Sequence, residues 1–294
     1  MNLWQQYVRP ASISEAVTAL TSAPGPALPL AGGTDILLDL QQGRHSPVHT
    51  VVDLTEIPEM KLLEIRADRL FIGAGVPISR IARDPLIVRH AQALSEACNL
   101  IGGPQVRNVA TLGGNVAHAL PAADGTIALM CLEAEAEIAG PEGERVAPMP
   151  DLFLGPGKTA LQQGEIIVGF SVSMSGAGKA SAFKRIMRPQ GVALPILNLS
   201  VWLERKGVSI KQIRIAVGPG GAVPFRARKT KAFLEGKPGN HELITDALEV
   251  LEKEVKFRTS PQRASSEYRY HLVSSLLEHT FEAAWKRAGE TLKV

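Results

Sequence analysis

Two glycine pairs, Gly32-Gly33 and Gly113-Gly114, sit among polar side chains of the kind that hold phosphate. The first pair follows the β-rich run Leu28-Pro29-Leu30-Ala31 and leads through Thr34 and Asp35 into a helical pattern starting at Ile36. Adjacent glycines admit positive φ and close backbone approach, so successive N–H groups can point at one anion. A helix start adds terminal amides, and Thr34 adds a hydroxyl donor. The second pair lies in Thr111-Leu112-Gly113-Gly114-Asn115, which repeats the pattern and adds an amide side chain. Asp124 follows, a carboxylate able to accept hydrogen bonds from sugar or ribityl hydroxyls, or else to cap the helix predicted over 125–132. Each pair alone reads equally well as a tight turn. Two pairs followed by such a carboxylate are better explained as a cradle for a dinucleotide.

Two other glycine stretches do not fit nucleotide motifs. Gly155-Pro156-Gly157-Lys158-Thr159 ends like a phosphate-binding P-loop, but Leu152 stands where that motif needs glycine and Pro156 lacks an N–H. Gly73-Ala74-Gly75 begins like a Rossmann fingerprint, but Ile78 replaces its third glycine. The seven histidines are dispersed, and only His118 falls within a candidate site. No nucleophile with a partnered base stands out, so no catalytic residue is assigned. The two cysteines, Cys98 and Cys131, lie in apolar runs. They are too few for an iron–sulfur cluster and lack metal-ligand spacing, so no metal site is expected.

The elements that position these residues come from a chain of 294 residues, 45% apolar and 21% charged, with a net charge of +3. That length predicts two or three domains. The scattered basic residues argue against nucleic-acid binding. No stretch has the apolar length of a membrane span, and the start carries no signal core, so the expected location is cytoplasmic. Ser12 with Glu15 three residues later predicts a capped helix over 12–22. Strands are expected at 28–31, 50–54, 70–72, 132–139 and 165–172, with a short helix over 78–83 and a helix from Pro85 to about Leu100. Ser173 to Lys179 reads as a domain boundary. Beyond it, three β-rich runs precede a helical C-terminal part.

Taken together, Leu30-Ala31-Gly32-Gly33-Thr34-Asp35, Ile72-Gly73-Ala74-Gly75, Arg107 to Asn115, Pro121-Ala122-Ala123-Asp124 and the late Arg263-Ala264-Ser265-Ser266-Glu267-Tyr268-Arg269 resemble the FAD-binding medium subunit of xanthine dehydrogenase and carbon monoxide dehydrogenase. The resemblance spans nearly the whole chain. It implies an α+β fold: a two-subdomain FAD-binding fold of the vanillyl-alcohol-oxidase (PCMH) type over 1–55 and 56–175. A C-terminal α+β domain with a three-stranded antiparallel sheet and helices would follow over 179–294. By motif position, Leu28 to Asp35 would wrap the FAD pyrophosphate, Thr111 to Asn115 would complete the pocket, and Asp124 would hold the ribityl chain. Ile101 and Ile167 would lie near the rings, and Lys184 at the flavin edge. The family further implies a large molybdenum-cofactor subunit and a small [2Fe-2S] subunit as partners in a dimer of heterotrimers, with NAD+ the first expected acceptor and oxygen or a quinone the alternatives. The absence of acid–base residues suits a redox subunit, because the flavin supplies the chemistry. A stand-alone flavoprotein oxidase or reductase and a non-enzymatic scaffold of the same fold remain the competing readings. The pattern departs from many relatives at His118 and Leu120.

Overall fold

Thr50 to Asp53 is buried at every residue, the signature of a strand covered on both faces. In the computed structural model, which describes residues 2–188 and 194–290, this run forms β3 (Thr50–Asp53), the centre of a three-stranded parallel sheet. Its neighbours are β1 (Gln6–Val8) and β2 (Ala27–Leu30). The crossovers are α1 (Ile13–Thr21) and α2 (Ile36–Gln41). Ser12 caps α1 by accepting from the Glu15 N–H, while the Glu15 carboxylate reaches back to the Ala11 N–H at 2.8 Å. The reciprocal cap therefore closes one residue further out than the sequence rule places it.

The second unit is a five-stranded antiparallel sheet of β4 (Leu63–Arg66), β5 (Arg69–Gly73), β6 (Glu135–Gly140), β7 (Gly143–Pro148) and, between β5 and β6, β10 (Ile166–Ser173). A hairpin of β8 (Phe153–Gly155) and β9 (Lys158–Thr159) lies before β10. Between β5 and β6 run six helices: α3 (Ile78–Ile81), α4 (Pro85–His90), α5 (Gln92–Leu100), α6 (Pro104–Val109), α7 (Leu112–Ala117) and α8 (Asp124–Cys131). The single helix expected from Pro85 to Leu100 is two. Asp84 caps the first through the Leu86 and Ile87 amides, and Ala91 leaves helical geometry at φ −141° before the chain resumes as α5. Leu132 to Ala134, expected to begin a strand, instead close α8.

The third sheet holds β11 (Lys179–Met187), β12 (Pro195–Lys206) and β13 (Ser209–Gly218), all antiparallel, as expected for this part. It has one strand more than the three expected, because β14 (Phe225–Arg226) pairs with Val217 and Ala216. Helices α9 (Arg228–Leu234), α10 (His241–Glu254) and α11 (Ser266–Gly289) follow. Nine consecutive residues of β12 are buried. Its two neighbours explain why: α11 packs on β11 and β12, and α8 packs on β12 and β13. All eight residues of α8 are buried in consequence.

Phe170 is fully buried in β10, between β5 and β6. Phe170→Ala should destabilise the chain by about 3–5 kcal/mol through lost burial and a residual cavity. Urea unfolding measures this, and a loss under about 1 kcal/mol would mean that the sheet core is packed otherwise.

Candidate functional site

Strand β2 runs through Ala31 into Gly32-Gly33, and Gly33 adopts φ +69°, a left-handed conformation that favours glycine. Gly32 is needed for a different reason. A Cβ there would collide with the Val109 carbonyl at the end of α6. From Gly32 through Ile36, five consecutive backbone N–H groups donate to no acceptor among the described residues, and the first bond closing α2 runs from Leu37 N to Gly33 O at 3.2 Å. Such a run of unengaged donors is unfavourable away from water and well suited to an anion. Pro29 and Asp35 are exposed, while Leu28, Ala31 and Thr34 are half-buried around this segment.

The second glycine pair is built differently. The segment that repeats the glycine pattern is the start of a helix, with Thr111 as its N-cap and Leu112, Gly113, Gly114 and Asn115 in its first turns. Its amides already have acceptors: Gly113 N donates to Ala74 O at 2.8 Å, Gly114 N to Thr111 Oγ1 at 3.1 Å and Asn115 N to Thr111 O at 3.0 Å. Gly113 is tight because Ala74 lies against it, whereas a Cβ on the exposed Gly114 would meet only Thr111 Oγ1, at 3.2 Å. Asn115 Oδ1 accepts from Thr126 N at 3.2 Å. It thereby caps α8, whose own N-cap, Ala123, has no side chain for the task. The Gly73-Ala74-Gly75 stretch thus packs against the second glycine segment.

The two segments do come together. Gly32 abuts the Val109–Ala110 backbone, and His118 at the end of α7 lies between Asp35 and Asp39, with ring nitrogens 3.5 Å and 3.4 Å from their carboxylate oxygens. That histidine contact to the first segment was not foreseen from the sequence.

Asp124, at the first position of α8, is 4% exposed. Its carboxylate pairs with Arg185 of β11 and accepts from Asn198 Nδ2 of β12 at 2.6 Å. Arg185, itself buried, also donates to the Leu100 carbonyl at the end of α5. Burial pushes the Asp124 carboxyl up to about 6, against the opposing pull of Arg185 and Asn198. Arg185 Nε and Asn198 Oδ1 are left without partners in this cluster. Strand alternation is the signal that could have pointed to Arg185: Lys184 and Arg185 must face opposite ways, so one of them turns inward.

Lys184 is exposed and lines a cavity of about 670 Å³ with Glu96, Asn99, Leu100, Ser275 and His279. No glycine-segment residue lines that cavity. Ile101 closes α5 half-buried, its carbonyl accepting from Arg107 Nη1 at 3.1 Å. Ile167 is buried in the main core on β10. Among the described residues, no cluster of three or more His, Cys, Asp or Glu is placed to hold a metal, and no helix is long and apolar enough to cross a membrane.

Residues 3–173 match the family described as the FAD binding domain in molybdopterin dehydrogenase, and residues 181–284 match the CO dehydrogenase flavoprotein C-terminal domain. The chain is 30% identical to the xanthine dehydrogenase FAD-binding subunit of Escherichia coli O157:H7 over 98% of both chains. It is 27% identical to the carbon monoxide dehydrogenase medium chain of Hydrogenophaga pseudoflava, over 97% of this chain and 98% of that one. In three dimensions it superposes on a chain of carbon monoxide dehydrogenase from Hydrogenophaga pseudoflava with a TM-score of 0.92 at 27% identity, covering 98% of this chain and 99% of the other. A chain of quinoline 2-oxidoreductase from Pseudomonas putida 86 superposes with a TM-score of 0.89 at 26% identity, covering 97% and 98%.

The raised Asp124 carboxyl gives a signed pH dependence. An unfolded aspartate titrates near pH 4, so between about pH 4 and 6 the folded chain keeps a proton that the unfolded chain has released. The contribution of this group to stability falls as pH rises through that window and is level above it. Asp124→Asn should remove that slope. At pH 7 it should also cost roughly 3–5 kcal/mol, because Arg185 stays buried without its counter-charge. Urea midpoints of wild type and variant from pH 4 to 8 test both; parallel profiles would remove Asp124 as the titrating group.

Proposed function

The chain belongs to the family of FAD-binding medium subunits of molybdenum hydroxylases such as xanthine and carbon monoxide dehydrogenase, and from that membership we propose that it relays electrons through FAD from a [2Fe-2S] partner subunit to an acceptor. The observation that carries the cofactor site is the run of unengaged amides from Gly32 to Ile36. These donors fit a pyrophosphate without any cationic side chain, and the left-handed Gly33 lets them converge. Leu28 to Ala31 would flank the phosphates and Thr34 would add its hydroxyl.

In this reading the second segment is a wall. Thr111 to Asn115 holds the outer rim of the site, with exposed Gly114 leaving room for the ligand. Asp124 would accept from a ribityl hydroxyl while keeping both Arg185 and Asn198 as donors. Ile101 and Ile167 would bound the flavin rings, and Lys184 would place positive charge at their edge. FAD when bound supplies the redox chemistry. The protein supplies position, charge and the exclusion of water. The large subunit would carry the molybdenum cofactor, the small one the iron–sulfur clusters, in a dimer of heterotrimers working in the cytoplasm. NAD+ is the proposed acceptor.

Gly114→Val separates the site from the fold, because a Cβ there would meet a single side-chain atom, the Thr111 Oγ1 at 3.2 Å, and helix propensity itself slightly favours valine over glycine. The purified variant should keep its circular dichroism and lose flavin absorbance; stoichiometric flavin in a folded Gly114→Val chain would remove this segment from the site. Anaerobic NADH should bleach the flavin of the wild-type chain. An unbleached flavin at saturating NADH would exclude NAD+ as the acceptor.

A further inference from the structure

Four arginines of the C-terminal domain gather without a carboxylate. Arg188, after β11, donates through Nη2 to the Arg263 carbonyl at 2.9 Å. Arg269, 1% exposed, donates to the Ile196 carbonyl at 3.0 Å and to the Arg258 carbonyl. None of the four forms an ion pair among the described residues. Glu267, the acidic residue of the first turn of α11, pairs with none of them. Burial and the neighbouring Arg258 hold Arg263 below the usual arginine range. Burial, Arg263 and Arg258 do the same to Arg269. Like charges brought this close, with one of them buried, oppose folding unless something negative answers them.

Beside this cluster lies a cavity of about 390 Å³, lined on its polar side by Arg188, Arg263, Ser265 and Tyr268 and on its apolar side by Ile186 and Ile196. The N-terminus of the 24-residue α11 opens at the same place, with Ser265 as its cap, and adds the positive end of a helix dipole. We propose that this cavity binds the phosphate group of a small anionic ligand, gripped by the Arg188 and Arg263 guanidinium groups while Ile186 and Ile196 take the apolar remainder. Two guanidinium forks match the oxygens of a phosphate better than a single carboxylate would. The concave shape with an apolar wall favours a small molecule over the flat face of a protein partner. None of these residues lies in the proposed FAD cradle, so the site stands or falls independently of that reading.

The test uses the full chain loaded with FAD, with flavin absorbance confirming that the cradle is filled. Calorimetric titrations with inorganic phosphate, pyrophosphate and ADP are run as separate arms at constant ionic strength. Saturable 1:1 binding is expected in at least one arm, and ADP binding tighter than phosphate would identify a nucleotide as the source. Arg188→Gln with Arg263→Gln should weaken it about tenfold or more, the loss of at least one charge-assisted hydrogen bond. Arg263→Lys, which keeps the charge, should retain part of the affinity, and Lys253→Gln, an exposed control outside the cavity lining, should retain all of it. The same affinity in a folded double variant, or no saturable binding in any of the three arms, overturns the proposal.

Discussion

A carboxylate taken out of water must be answered by donors fixed in place, and Asp124 is answered from two strands of another sheet. Arg185 comes from β11 and Asn198 from β12, and both reach the first residue of α8. That contact exists because α8 is sandwiched, all eight of its residues buried, between the five-stranded unit and the C-terminal sheet. Arg185 continues the connection to the Leu100 carbonyl, where α5 turns into the Ile101–Gly103 segment. Arg107 then holds the Ile101 and Gly102 carbonyls from α6, and the last residue of α6, Val109, bears on Gly32. A buried charge at the domain seam is thus linked through successive contacts to the first glycine segment. Replacing Asp124 would thus disturb the support of the proposed cradle as well as any contact with a ligand.

The two glycine pairs show that one residue pattern can answer two different physical needs. Gly113 lies where the Ala74 backbone leaves no room for a Cβ, and its N–H is already bonded there. That pair serves helix packing at close range. The first pair combines a close approach at Gly32 with a left-handed Gly33 and leaves its donors unengaged. The distinction depends on Ala74, some forty residues from Gly113 in the chain, so neither pair reveals its role locally.

What was legible in the sequence was what local chemistry determines. The Ser12 cap, the apolar run of β3, Pro85 at a helix start and the long strands of the third sheet follow from side-chain alternation and capping. The elements that were missed are short or lack punctuation. β1 and β14 have three and two residues and exist only through their partners. The break at Ala91 has neither glycine nor proline to announce it. At the site, the family resemblance points to Lys184, while its neighbour Arg185 makes the buried pair, because only the packing of α8 shows which face of β11 turns inward.

His118 shows why the proposed cradle is built from backbone. Asp35 and Asp39 place two carboxylates beside the segment that would hold an anion, an adverse arrangement if side-chain charge decided binding. His118 reaches across from α7 and sets one ring nitrogen near each carboxylate, 3.5 Å from Asp35 and 3.4 Å from Asp39. The amides of Gly32 to Ile36 carry partial positive charge that is fixed in direction and independent of pH. A site resting on them tolerates nearby carboxylates, provided these are drawn aside, and His118 is the residue placed to draw them. Its ring also ties α2 of the first unit to α7 of the second, so it holds together the two glycine segments that Gly32 brings into contact.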